Sequence, residues 1–189
     1  WQEHGIDNCK VSVNVSGIQF KQSALLKKIQ RALNQSGLPA HLLEIELTES
    51  AIMSDLEENI ERLKALKAMG VSIACDDFGT GYSSLSYLKQ FPLDTLKIDR
   101  SFIQDIATEE NDAAIVKAIM LLAETMQLDV VAEGIETIEQ LQILNRYNCS
   151  LIQGYFFSKP LPNSEFVQFV KNGFYQEKFM WELELLGKE

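Results

Sequence analysis

The stretch Ile73-Ala74-Cys75-Asp76-Asp77-Phe78-Gly79-Thr80-Gly81-Tyr82-Ser83-Ser84 decides how the chain is read. A short apolar run, 71–75, ends in two adjacent carboxylates and then a loop with two glycines. Adjacent acids at the mouth of a buried strand repel each other and lose hydration. A cation or a firm hydrogen-bond network has to neutralise them.

Working outward, the same arrangement recurs. Strand-like runs read at 11–16, 42–47, 71–76, 95–98, 128–132 and 151–154, each short and apolar on both faces, as parallel strands covered by helices are. Amphipathic segments lie between them. Leu56, Ile60, Leu63 and Leu66 form one helical stripe, and Ile115, Ile119, Leu122 and Met126 another. Ser54 with Glu57, and Thr137 with Gln140, fit capping boxes, while Gly70 fits a helix terminator.

Strand–helix alternation predicts an α/β protein with a parallel sheet. Two closures compete. A doubly wound open sheet offers one site at a switch point, whereas a barrel gathers all strand ends around one mouth. Polar residues close every strand, which favours a TIM-barrel-like fold. A complete eightfold barrel takes roughly 250 residues, so 189 residues predict a barrel missing about two N-terminal strands. No linker divides residues 1–189, which are read as one domain. Its C-terminal part, 161–189, reads as a helical segment, with Tyr175, Phe179, Leu183 and Leu186 on one face of 174–186.

Composition narrows the function. A net charge of −10 opposes binding to DNA or RNA polymers, whose phosphates require Lys and Arg. No apolar run reaches the ~20 residues of a membrane span. Cys9, Cys75 and Cys149 are odd in number and widely spaced, so reduced structural thiols and a cytoplasmic setting are expected. His4 and His41 fall outside the strand-end pattern and read as surface or packing residues.

In order, the strand ends offer Asn14; Glu46 with Glu49; Asp76 with Asp77; Lys97 with Asp99; Glu133 with Glu136; and Gln153. Any one acid here is more simply a helix cap or a surface charge. Their recurrence at the same end of successive strands points to a site. The set is rich in oxygen and has no neighbouring His or Cys, which selects Mg²⁺, Mn²⁺ or Ca²⁺ over zinc. An Asp-Asp pair can bridge two ions about 4 Å apart, the spacing used to hydrolyse phosphate esters. Lys97 supplies a fixed positive charge that could orient a water or stabilise an oxyanion, or could simply pair with a carboxylate. Gly79 and Gly81 let the loop after Asp77 approach a ligand closely.

The segments Val13-Asn14-Val15-Ser16, Glu44-Ile45-Glu46-Leu47-Thr48-Glu49, Asp76 to Ser84, Leu96-Lys97-Ile98-Asp99, Ala132-Glu133-Gly134-Ile135-Glu136 and Gln153-Gly154-Tyr155-Phe156 together resemble the EAL domain, over residues 1–161. That family hydrolyses the bacterial second messenger cyclic di-GMP to pGpG on a modified TIM barrel with one antiparallel strand. The resemblance implies that Asn14, Glu46 and Asp76 bind one Mg²⁺ or Mn²⁺ ion, with Asp76 bridging to a second held by Asp77 and Glu133. It implies that Lys97 holds the attacking water and that Glu49 anchors the loop after Asp77. Glu136 and Gln153 would line the substrate pocket with Gly79, and Pro160 would lie beside a guanine.

The Glu-Ala-Leu tripeptide that names the family, whose Glu binds a metal, is absent, as is a Tyr-Gln-Pro-type first strand. Trp1 corresponds to a point beyond both. The resemblance therefore implies an active phosphodiesterase in a parent protein, with sensor or GGDEF domains attached and a homodimer as its assembly, and weak or no activity for these residues alone. A non-catalytic cyclic di-GMP receptor is the alternative, and a purely structural remnant a third reading.

Overall fold

The computed structural model describes residues 1–7, 9–81 and 85–172. Six strands, β1 Val11–Asn14, β2 Leu43–Thr48, β3 Ser72–Phe78, β4 Thr95–Ile98, β5 Asp129–Glu133 and β6 Leu151–Gln153, form one sheet in the order β1-β2-β3-β4-β5-β6. All five pairings are parallel. A doubly wound sheet needs a reversal of strand order, and none occurs here, so the barrel-type winding holds. The antiparallel strand of the family fold is not among these six. Strands β1 and β6 stand at the edges of the sheet.

Helices α1 Gly17–Phe20 and α2 Leu25–Ser36 join β1 to β2. Helices α3 Glu49–Met53 and α4 Leu56–Ala68 join β2 to β3, and α5 Leu85–Leu88 precedes β4. Next come α6 Arg100–Gln104 and α7 Glu110–Met126, then α8 Ile138–Arg146 between β5 and β6. Helix α9, Asn163–Lys171, follows β6. Its first residue accepts a hydrogen bond from Trp1 Nε1 at 2.6 Å, and Trp1 lies against Phe166. The expected continuation of the C-terminal helix, 174–186, lies outside the described residues.

The expectation of strands apolar on both faces is corrected: one face of the sheet is polar. The register places Ser12, Glu44, Ser72, Thr95 and Asp129 on one face, and beside them Asn14, Glu46, Lys97, Glu133 and Gln153. Leu43, Ile45, Leu47, Ile73, Leu96, Ile98 and Ala132 alternate with them and are buried on the other face. There they meet Leu63 and Leu66 of α4, Val116, Ile119 and Ala123 of α7, and Leu141 and Leu144 of α8. The period of two was legible in Leu43-Glu44-Ile45-Glu46-Leu47, and it separates an apolar helix-covered side from a polar inner side. In the inner layer Glu44 accepts hydrogen bonds from Ser12 Oγ (3.0 Å) and Thr95 Oγ1 (3.1 Å). The bond from Thr95 on β4 reaches across β3, where small Ala74 leaves room.

Both predicted stripes pack inward, with Ile119 buried and Leu122 and Met126 against the core, except that Ile115 of α7 is 38% exposed and Val116 and Ala123 join the core instead. The Thr137–Gln140 capping box forms as expected, and Gly70 closes α4 with φ +85. A Ser54–Glu57 box does not. Ser54 Oγ instead donates to Ala51 O at 3.0 Å, ending α3, and Asp55 starts α4 from a left-handed conformation. Asn59 makes that tight connection possible: fully buried, its amide donates to the carbonyls of Ala51, Ile52 and Ser54. The cysteines are free thiols, with Cys75 and Cys149 buried, and burial pushes all three thiol pKa values up. Among the described residues no helix is long and apolar enough to cross a membrane.

Replacing Asn59 by Ala removes a donor from the Ala51, Ile52 and Ser54 carbonyls, of which Ala51 O keeps Ser54 Oγ, so Asn59→Ala should cost about 1–3 kcal/mol in chemical denaturation. A loss below ~0.5 kcal/mol would show that the carbonyls find other partners.

Candidate active site

The inner face of the sheet converges on one cation. Lys97, projecting from the centre of β4 and only 5% exposed, places Nζ 2.9 Å from Glu46 Oε2, 3.1 Å from Asp76 Oδ1 and 2.6 Å from Glu133 Oε1. Strands β2, β3 and β5 each deliver one carboxylate because the shared register brings alternate residues of neighbouring strands to the same side. Burial would push the Lys97 ammonium pKa down. The hydrogen bonds to Glu133 and Glu46 and the charges of Glu133 and Asp76 outweigh it and hold the group well above its ordinary value. Burial raises the Glu133 carboxyl in turn, with Lys97 opposing and Asp76 and Glu46 adding to the rise.

A β-bulge separates the two aspartates. Cys75 pairs with Leu96 and Phe78 with Ile98, so β3 spends one more residue than β4 over this span. The surplus is accommodated at Asp77, which has φ +53. While Asp76 faces Lys97, Asp77 meets Asp99, the N-cap of α6. Burial, the charges of Asp76 and Asp99, and a hydrogen bond to Asp99 raise the Asp77 pKa against the pull of Lys97. The Asp99 pKa is lowered: burial opposes this, and the bonds from Ser101 Oγ and N–H, Asp77 and the Arg100 N–H prevail.

This donor set fits a divalent cation. Its oxygens are hard ligands. Moreover, Asp76 Oδ1 is buried without a hydrogen bond, since Lys97 reaches it as a charge but outside hydrogen-bond geometry. Among the described residues no three His, Cys, Asp or Glu side chains are spaced as a ready-made ion cage. Lys97 Nζ lies between the carboxylates.

The other residues singled out from sequence fall in three places. Asn14 closes β1 in register with Glu46, exposed at the rim of the same face. Glu49, 2% exposed at the first turn of α3, accepts the Gly79 N–H at 2.9 Å. A Cβ at Gly81 would run into the same carboxylate. Glu133, Glu136, Gln153 and Pro160 share a cleft of about 420 Å³ with Arg100 and Tyr155. Gly79 does not join that cleft. It borders a separate groove with Glu49, Phe78, Ile115 and Ile119.

Sequence reasoning missed Arg100, whose Nη2 pairs with Glu136 Oε1 at 2.7 Å, and Lys159, which sits over the Tyr155 ring at 5.8 Å. Arg100 carried a usable signal as the first helical residue after a strand end.

Comparison with known proteins bears on this arrangement. The EAL domain family matches residues 1–160. The cyclic di-GMP phosphodiesterase NbdA of Pseudomonas aeruginosa is 45% identical over 167 residues, 88% of this chain and 21% of NbdA. A cyclic di-GMP complex of the phosphodiesterase MucR, from the same organism, superposes with TM-score 0.85 and 43% identity, over 88% of this chain and 67% of that one. A manganese and cyclic di-GMP complex of Klebsiella pneumoniae BlrP1 gives TM-score 0.78 and 31% identity, over 84% and 41%. The chain spans 21–25% of the length of the first curated relatives it matches.

Because the Asp77 pKa is raised in the folded state, its contribution to stability is complete below the unfolded value of ~3.9 and is lost as pH rises through the folded value. Metal-free Asp77→Asn should therefore lose less stability than the parent as pH rises from about 4 towards neutral. Urea melts over that range test this, and parallel profiles would show that the Asp77 carboxyl pKa is not raised on folding.

Proposed function

The chain belongs to the EAL domain family, and on that premise we propose that it hydrolyses cyclic di-GMP to the linear dinucleotide pGpG. What carries the reading is Lys97 buried among Glu46, Asp76 and Glu133 at the C-terminal rim of the sheet, directly beside the cleft that Glu133 also lines. Asn14, Glu46, Asp76, Asp77 and Glu133 would hold Mg²⁺ or Mn²⁺. Such an ion pair, when bound, supplies a water of lowered pKa and neutralises phosphoryl charge.

The remaining chemistry belongs to the chain. Lys97 is a permanent ammonium fixed by its carboxylate partners; it orients the attacking water and stabilises charge on the phosphoryl oxygens. Water adds to phosphorus, the bond to the 3′ oxygen breaks, and that oxygen leaves with a proton. Glu49 holds the loop after Asp77 through Gly79 N–H, keeping both aspartates in register. In the cleft, Arg100 and Lys159 complement phosphate charge. Tyr155 and Pro160 offer flat apolar faces to a guanine, and Glu136 and Gln153 present polar atoms to its edges.

The domain is proposed to extend over residues 1–189 and to work in the cytoplasm as a homodimer, with sensor or GGDEF domains elsewhere on the polypeptide.

The full-length protein with Mn²⁺ or Mg²⁺ should convert cyclic di-GMP to pGpG, followed by chromatography. Persistent, uncleaved bound ligand would instead make it a receptor. Lys97→Ala should lower kcat by about 10²–10⁴-fold with little change in KM. An unchanged kcat would take Lys97 out of the reaction.

A further inference from the structure

We propose that Gln140 is a positioning residue for the substrate cleft, acting on substrate binding through Glu136 rather than serving only as a helix cap; this rests on the proposed function. A capping box requires one bond from the N3 side chain, back to the N-cap N–H. Gln140 supplies it, accepting the Thr137 N–H on Oε1 at 3.0 Å. The same oxygen also accepts the Glu136 N–H at 2.8 Å, and Nε2 donates to Gln104 O, the last carbonyl of α6, at 3.0 Å. Neither of these bonds is needed to start α8. Gln140 is buried, 5% exposed, so every polar atom of its amide is committed to a protein partner.

The second and third bonds form a brace. Helix α6 starts at Arg100, which grips the Glu136 carboxylate, and ends at Gln104, which Gln140 grips. The segment 134–140 is thus fastened to both ends of α6. Glu136 is fixed twice over, its carboxylate by Arg100 and its backbone by Gln140. Gly134 rests so closely on the Arg100 stem that a Cβ there would collide with it. Arg100, Gly134 and Glu136 together form one wall of the cleft. Loosening the brace moves that wall while leaving Lys97, Glu46 and Asp76, which Gln140 does not touch, in place.

Gln140→Glu separates the two roles. A glutamate satisfies the capping box as well as a glutamine does, but it cannot donate to Gln104 O and sets a carboxylate against that carbonyl. In the full-length protein with Mn²⁺, Gln140→Glu should raise KM for cyclic di-GMP about tenfold, with kcat within about threefold and Mn²⁺ affinity unchanged. In a Glu136→Ala background the KM effect should vanish, as expected for residues acting through one another. Gln140→Met, which keeps the volume and removes the brace, should reproduce the KM effect if the Glu variant does not fold. A parental KM in Gln140→Glu would reduce Gln140 to a cap and overturn the proposal. So would a loss in kcat alone, or an undiminished effect in the Glu136→Ala background. If the parent binds but does not cleave, the proposed function falls, and the same tenfold loss read as Kd by calorimetry decides the role of Gln140. A parent that does not bind the ligand overturns both.

Discussion

One buried ammonium organises this structure. Three carboxylates from three strands sit on the inner side of a parallel sheet, where their mutual repulsion and lost hydration oppose folding. Lys97 answers all three from the strand between them. Its stem occupies the inner face where a barrel ordinarily stacks apolar layers. The polar layer is therefore not an ornament on a finished core; it sets which residues β2 to β5 must present inward. Such a cluster is a poor device for stability, since an apolar layer of equal volume would serve at least as well. Its retention makes sense when the carboxylates have a further use.

The bulge in β3 distributes the negative charge. In an unbroken strand Asp76 and Asp77 would point to opposite faces, one of them into the helices. The extra residue and the left-handed backbone at Asp77 keep both acids at the rim and give them different partners, Lys97 for one and Asp99 for the other. One carboxylate lies beside a cation while its neighbour meets a second carboxylate. The glycine loop that follows is tied back to Glu49, so the bulge is held from both sides.

Around this cluster the chain builds two distinct recesses. The cleft beyond β5 and β6 combines cationic, aromatic and amide groups next to Glu133. The groove between the glycine loop and α7 is lined by apolar side chains, including Ile115 and Ile119. The short helix α6 lies between the two regions. Its N-cap Asp99 touches the acidic cluster, and its first and last residues, Arg100 and Gln104, hold the cleft wall. This five-residue helix is anchored in the core by Ile103 and Phe102 and tied to the cleft wall by polar bonds at both ends.

Much of this was legible in the linear sequence because it is local. Strand and helix types follow from local pattern, and the strand-end acids were visible as a recurring pattern, so the α/β class, the parallel sheet and the meeting of Glu46, Asp76, Lys97 and Glu133 could be named in advance, with Asn14 found in register beside Glu46. Three features could not. The bulge at Asp77 is a mismatch between two strands and has no signature in one of them. Gly79 lies two residues from Asp77, yet it borders the groove by α7, because the bulge and its left-handed turn redirect the loop. Arg100 and Gln140 gain their meaning only when α6 is packed against the segment after β5, some forty residues away in the chain. Short-range periodicity dictates which atoms a segment offers; only the packing of distant segments decides which of those atoms meet.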